Sequence, residues 1–188
     1  IAGAPANTFS KVGVLLSGTA LGAIGSAINL QGSLTNNTIG GDTTILATGG
    51  DGYDDLAASF ITNGPNAGRI TLSAVGANAR IFSGLGTTIT QHSGGGVFLA
   101  TSDGGDLTPH RIVNNGTGWV VLAAGTGRAA GDGLGGQITG RSSANTITSP
   151  NGNVYLFSGL PGTTTYLNVL SPKMTTLTLD TVAFEQAY

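Results

Sequence analysis

Short apolar runs recur at a nearly fixed interval along this chain, and that recurrence limits the available folds more than any single motif. Ile45, Ile70, Val97 and Val120 mark the centres of successive runs. They are spaced by roughly 25 residues, within the range of periods that marks stacked-repeat architectures. Further runs of the same kind lie at Val14 to Leu16, Arg80 to Phe82, Asn153 to Phe157 and Thr175 to Val182. Each is strand-length and rich in Val, Ile, Leu, Thr and aromatics, and Gly or Asn follows almost every one. No segment shows a convincing helical period. A second comparison supports the interval. Ile81-Phe82-Ser83-Gly84-Leu85 resembles Leu156-Phe157-Ser158-Gly159-Leu160, and Phe82 and Phe157 stand three such intervals apart. Gly68-Arg69-Ile70-Thr71 and Gly136-Gln137-Ile138-Thr139 precede the two copies.

A repeat of this length suits stacked coils of short parallel strands. One coil cannot bury its inner face alone, whereas stacked coils can. Glycine allows sharp corners, and Asn and Thr can form hydrogen-bonded ladders from coil to coil. The expected fold is therefore all-β, a solenoid of parallel strands with about seven coils. A β-sandwich or jelly roll is the alternative, because short strands at regular spacing suit it too. The expected organisation is an N-terminal apolar extension or first coils over 1–35, a repetitive β domain over 36–170 and a C-terminal strand or cap over 171–188. Because the first residue is Ile1, a processed product or a segment of a longer chain is expected.

Composition excludes several functions. Only 16 of 188 residues are charged, 7 basic and 9 acidic, giving a net charge of −2. Single, scattered Arg and Lys make no basic stripe, so nucleic-acid binding is not expected. Hydrophobic residues make up 39% and mean hydropathy is +0.21, which is not the signature of a disordered chain. There is no cysteine, hence no disulfide or thiolate metal site. Val12 to Leu30 is uncharged and long enough for a membrane helix. Gly13, Gly18, Gly22 and Gly25, with Ser17, Thr19, Ser26 and Asn29, lower its hydropathy and helix propensity. Buried strands are expected there, not a membrane span.

Motifs with chemical potential are few. Gly49-Gly50-Asp51-Gly52-Tyr53-Asp54-Asp55-Leu56-Ala57 fits the calcium-binding nonapeptide G-G-x-G-x-D-x-U-x. Asp51, Asp54 and Asp55 would supply hard oxygen ligands to Ca²⁺. Such calcium ions sit between consecutive repeats, and no second copy exists. A Gly-rich turn with solvated acids is the alternative, and no other cofactor is expected. Gly131 to Gly136 satisfies G-x-G-x-x-G, but a strand pattern follows instead of a helix, which discards a dinucleotide site. His92 and His110 lie near no activating motif, and Glu185 is the sole Glu. No catalytic residue is assigned. A polysaccharide lyase using Asp-bound calcium with Arg69 or Arg80 is a further alternative. Trp119 and Tyr155 are the candidates for exposed sugar stacking.

The phrases Gly68-Arg69-Ile70-Thr71-Leu72-Ser73, Arg80-Ile81-Phe82-Ser83-Gly84 and Asn151-Gly152-Asn153-Val154-Tyr155-Leu156-Phe157-Ser158-Gly159 resemble the repeat regions of secreted bacterial adhesins of the filamentous-haemagglutinin type. The resemblance covers 40–170. It implies a long right-handed parallel β-helix at the cell surface, attachment to surfaces or cells, and no catalytic residues. The expected partners are further copies of the chain or host or surface glycans. The leading expectation is thus an extracellular structural and adhesive protein that forms or decorates a cell-surface filament. The alternative is a self-polymerising, pilus-like subunit, since 188 residues is short for an adhesin rod. Its terminal segment from Ile1 to Phe9 would then add a strand to the next copy.

Overall fold

The computed structural model describes residues 13–19, 28–29, 33–48, 56–75, 80–102, 105–109, 111–126, 136–139, 146–158 and 168–178. All regular structure among them is strand. In chain order these are β1 (Val14–Thr19), β2 (Ile28–Asn29), β3 (Ser33–Asn36), β4 (Thr43–Thr48), β5 (Leu56–Asn63), β6 (Ile70–Val75), β7 (Ile81–Gln91) and β8 (Val97–Ser102). They continue with β9 (Leu107–Thr108), β10 (Arg111–Asn114), β11 (Val120–Thr126), β12 (Thr146–Thr148), β13 (Val154–Ser158), β14 (Asn168–Leu170) and β15 (Met174–Thr178).

The strands form two sheets. The first has seven strands in the order β1-β4-β6-β8-β11-β13-β15. The second runs β14-β12-β10-β7-β5-β2, with β3 also on β5 and β9 also on β7. After every strand of the first sheet but the last, β15, the chain passes through the second, then returns to the first beside the strand it left. Every pairing between these strands is parallel. The sandwich and jelly-roll alternative, which is built from antiparallel sheets, does not fit this pairing. The apolar stretch from Val12 to Leu30 contains β1 and β2, and no helix among the described residues is long and apolar enough to cross a membrane.

Register explains the core. In the first sheet Thr43, Ile70, Val97, Val120 and Val154 form one inward column, and Ile45, Leu72, Leu99, Leu122 and Leu156 form the next. In the second sheet Leu34, Ile61, Ile89, Ile112 and Ile147 stack in the same way. These side chains are almost wholly buried, and the aliphatic ones belong to one cluster shared by the two sheets. Strand alternation puts Thr and Ser on the other face, as in the buried-then-half-buried pattern of β4 and β6. Full burial of each aliphatic side chain stabilises by roughly 1.5–3 kcal/mol, so the columns supply the main driving force.

Two residues beyond the aliphatic column of the second sheet, the inward positions turn polar. Asn36, Asn63, Gln91, Asn114 and Ser149 are buried at successive corners. A buried amide is costly unless hydrogen-bonded, and each of these donates to its own corner, although Asn114 Oδ1 is buried without a donor. Asn36 Nδ2 reaches the Gly41 carbonyl at 2.8 Å, Asn63 Nδ2 the Gly68 carbonyl at 3.0 Å, and Gln91 Nε2 the Gly96 carbonyl at 2.8 Å. Asn114 Nδ2 donates to the Gly118 carbonyl at 2.5 Å, and Ser149 Oγ to the Gly152 carbonyl at 2.8 Å. The ladder also runs between corners, through Thr43 to Asn63 and Asn114 to Ser149.

The repeat phase differs from the sequence reading at three points. Ile70, Val97 and Val120 share a column, but their partner on β4 is Thr43, not Ile45. The Phe82 and Phe157 copies are not equivalent either. Phe82 lies on β7 in the second sheet and Phe157 on β13 in the first. Ile138 likewise bridges Leu107 of the second sheet, while Ile70 sits in the first. Strands of the two sheets follow one another along the chain with similar composition, so a short phrase can match a strand of the wrong sheet.

Candidate functional site

The site lies where the chain leaves the polar ladder and enters the first sheet. The residue before each strand of that sheet accepts a backbone bond from the preceding strand. Thr43 N–H donates to the Arg69 carbonyl, Ile70 N–H to Gly96, Val97 N–H to Trp119, and Val120 N–H to Asn153. Asp42, Arg69, Gly96, Trp119 and Asn153 therefore form a column. By strand alternation it belongs to the face opposite the aliphatic core.

Gly96 interrupts the column of side chains between Arg69 and Trp119. Its φ of +77° suits glycine, and a Cβ there would collide with the Trp119 carbonyl oxygen. Gly95 is equally confined, since a Cβ would run into the Gly68 carbonyl. Successive corners thus pack backbone against backbone. Outside them a groove of about 210 Å³ opens, lined by Arg69, Gly94, Gly95, Phe98, Trp119 and Val121, among others.

Trp119 is 47% exposed, yet its ring is not unsupported. Tyr155 stands against it, with ring centroids 5.1 Å apart and planes inclined at 53°. This tilted arrangement is a favoured aromatic geometry. Asn153 Nδ2 donates to Tyr155 Oη at 3.4 Å. On the same face lies a second apolar cluster of Ala100, Val121, Ala123 and Phe157, with Phe98 and Tyr155 packed against it. The outer face of β8, β11 and β13 is therefore more apolar than the Thr- and Ser-bearing face of β4 and β6.

The two expected stacking residues, Trp119 and Tyr155, are brought into contact. Arg69 faces the same groove, while Arg80 precedes β7 in the second sheet. Asp51, Asp54 and Asp55, Ile1 and Phe9, and His110 lie outside the described residues. Among the described residues no group of three or more His, Asp or Glu side chains converges on a metal-sized site. His92 Nδ1 pairs with Asn115 Nδ2 at 3.2 Å on an exposed corner. Sequence reading missed the groove itself, although its signal was present. Arg69, Gly96 and Trp119 each stand one position before Ile70, Val97 and Val120, and so repeat at the same intervals.

No protein-family model matches this chain, and no curated protein or solved structure is significantly similar to it.

Proposed function

We propose that this chain is a right-handed parallel β-helix that acts as an extracellular structural and adhesive protein at the cell surface, forming or decorating a filament. The observation that carries this reading is the repeated passage of the chain between two parallel sheets, held by a shared aliphatic core and a ladder of buried polar side chains. Such a scaffold is stiff, and it repeats its outer positions at one strand spacing, which suits display of a binding face. The resemblance to filamentous-haemagglutinin-type repeats supports the same reading. Its partners are glycans of a host or surface, its role is not catalytic, and the Trp119 face is its contact surface.

The test is adhesion of the full chain to glycan-bearing cells, compared with cells stripped of surface glycans. Glycan-dependent adhesion supports the proposal. Release of unsaturated sugars from polysaccharide, with calcium required, would replace it with the lyase reading and assign a role to Asp54.

A second reading has its own observation. Among the described residues β1 and β15 are each paired on one side only, and an open strand edge is a template for another chain. In this reading copies join by strand exchange into a filament, with Ile1 to Phe9 as the joining segment. Electron microscopy and light scattering of natively purified protein distinguish the two. Regular fibres that vanish on deletion of 1–10 support exchange, and a monomer unaffected by that deletion supports the simple adhesin.

A further inference from the structure

Resting on the adhesive reading above, we infer that the groove between Arg69 and Trp119 seats a single pyranose carrying a carboxylate, as in a uronic acid. Three features of the groove define this ligand. Arg69 and Trp119 flank Gly96 in one column, two strand spacings apart. At roughly 4.8 Å per spacing their backbones stand about 9.6 Å apart, enough for one sugar ring and too little for a helix. The indole is exposed, braced by Tyr155, and presents an apolar surface to the C–H face of a pyranose. Phe98 and Val121 continue that apolar surface as lining.

The charge comes from the opposite wall. Arg69 is exposed and lines the groove, and a guanidinium prefers a carboxylate, which it can hold through two parallel hydrogen bonds. The nearest acid in the column, Asp42, stands one strand beyond Arg69, on the side away from Trp119. Its Oδ1 already accepts the Arg69 backbone N–H at 2.7 Å. Among the described residues no acidic side chain lines the groove. A ring stacked on Trp119 thus turns its carboxylate toward the guanidinium of Arg69.

The test uses oligosaccharides of galacturonate, glucuronate and mannuronate, each beside its methyl ester, titrated into the full chain by calorimetry. The ester keeps the ring and removes the charge. At least one free acid is expected to bind about ten-fold more tightly than its ester, with the advantage shrinking as salt rises. Trp119→Ala is expected to abolish binding of acid and ester together. Arg69→Gln is expected to bring the acid down to the ester's affinity. Because both side chains are exposed, circular dichroism of the variants should match wild type.

Equal binding of acid and ester, or an Arg69→Gln variant with undiminished acid binding, overturns the inference and leaves the adhesive reading in place. Binding of none of the six oligosaccharides also overturns it. The adhesive reading is then judged separately, by adhesion of the full chain to glycan-bearing cells.

Discussion

Thr43 Oγ1 donates to Asn63 Oδ1 at 2.6 Å, joining the start of β4 to the end of β5 across 20 residues of chain. The same hydroxyl accepts from Asn36 Nδ2 at 3.0 Å. Thr43 therefore links two rungs of the polar ladder, while occupying a column otherwise filled by Ile70, Val97, Val120 and Val154.

That dual position separates two variants. Thr43→Val places an isosteric aliphatic residue in an aliphatic column but strips a partner from both Asn36 and Asn63. Asn63→Ala removes a buried amide and leaves the Thr43 hydroxyl without its acceptor. Leaving a buried polar group unsatisfied costs about 1–3 kcal/mol. We expect both to destabilise, Asn63→Ala more, because it also loses its bond to the Gly68 carbonyl. Urea unfolding midpoints test the order. A Thr43→Val variant less stable than Asn63→Ala would mean that the hydroxyl, not the amide ladder, holds this corner.

Glycine at the corners serves two different needs, and substitutions should tell them apart. A Cβ on Gly116 would collide with the Ser93 carbonyl oxygen, which is backbone and cannot swing away. Around Gly40 nothing lies within 4 Å, but its φ is +66°. Gly40→Ala should cost about 1 kcal/mol and Gly40→Asn less, since Asn tolerates that conformation. Gly116→Ala should cost about 2 kcal/mol or more, through a forced backbone shift. Thermal melts of the three variants give the ranking. A Gly116→Ala protein that melts with wild type would show that neighbouring corners are less tightly stacked than described.

The interior column of the second sheet leaves no room for truncation at its centre. Ile112 is fully buried and stacked between Ile89 and Ile147. Ile112→Ala should cost about 2–5 kcal/mol, the transfer and cavity terms together. Leu15→Ala, at a residue 70% exposed, should shift the melting temperature little. Similar losses in both variants would mean that the outer face of β1 is covered in solution, by another copy or a partner.

Strands of the first sheet were legible because nearly every inward position is apolar. Val97, Leu99, Val120 and Leu122 announce β8 and β11 directly. Most strands of the second sheet were not, and only the Arg80 to Phe82 run, at the start of β7, stood out. β3 and β10 each bury one aliphatic residue, Leu34 or Ile112, and then turn an Asn inward. Hydropathy reads that buried amide as a loop. Trp119 and Tyr155 stood out as rare aromatics in a chain with 6% of them. Their contact did not, because Tyr155 lies one strand over, on β13, and only the register of β11 with β13 brings the two rings together. Arg69 was legible as a cation but not as part of this face, since its partnership with Trp119 depends on the missing side chain at Gly96 between them.

Trp119 is the only tryptophan in the chain, so intrinsic emission reports on this one groove. With the indole half exposed and braced by Tyr155, wild-type emission should lie between that of a buried and a fully solvated tryptophan. Removing the brace in Tyr155→Ala frees the ring, and the emission should shift toward the solvated limit. An aromatic pair of this kind stabilises by about 0.5–1.5 kcal/mol, so affinity for the proposed glycan should fall roughly two- to ten-fold as the ring loses its fixed pose. Tyr155→Phe keeps the ring and loses only the 3.4 Å bond from Asn153, so it should retain both the emission and the affinity of wild type. Emission unchanged in Tyr155→Ala would mean that Trp119 is held by the apolar bed of Phe98 and Val121 alone, and the brace would then have no part in positioning the stacking surface.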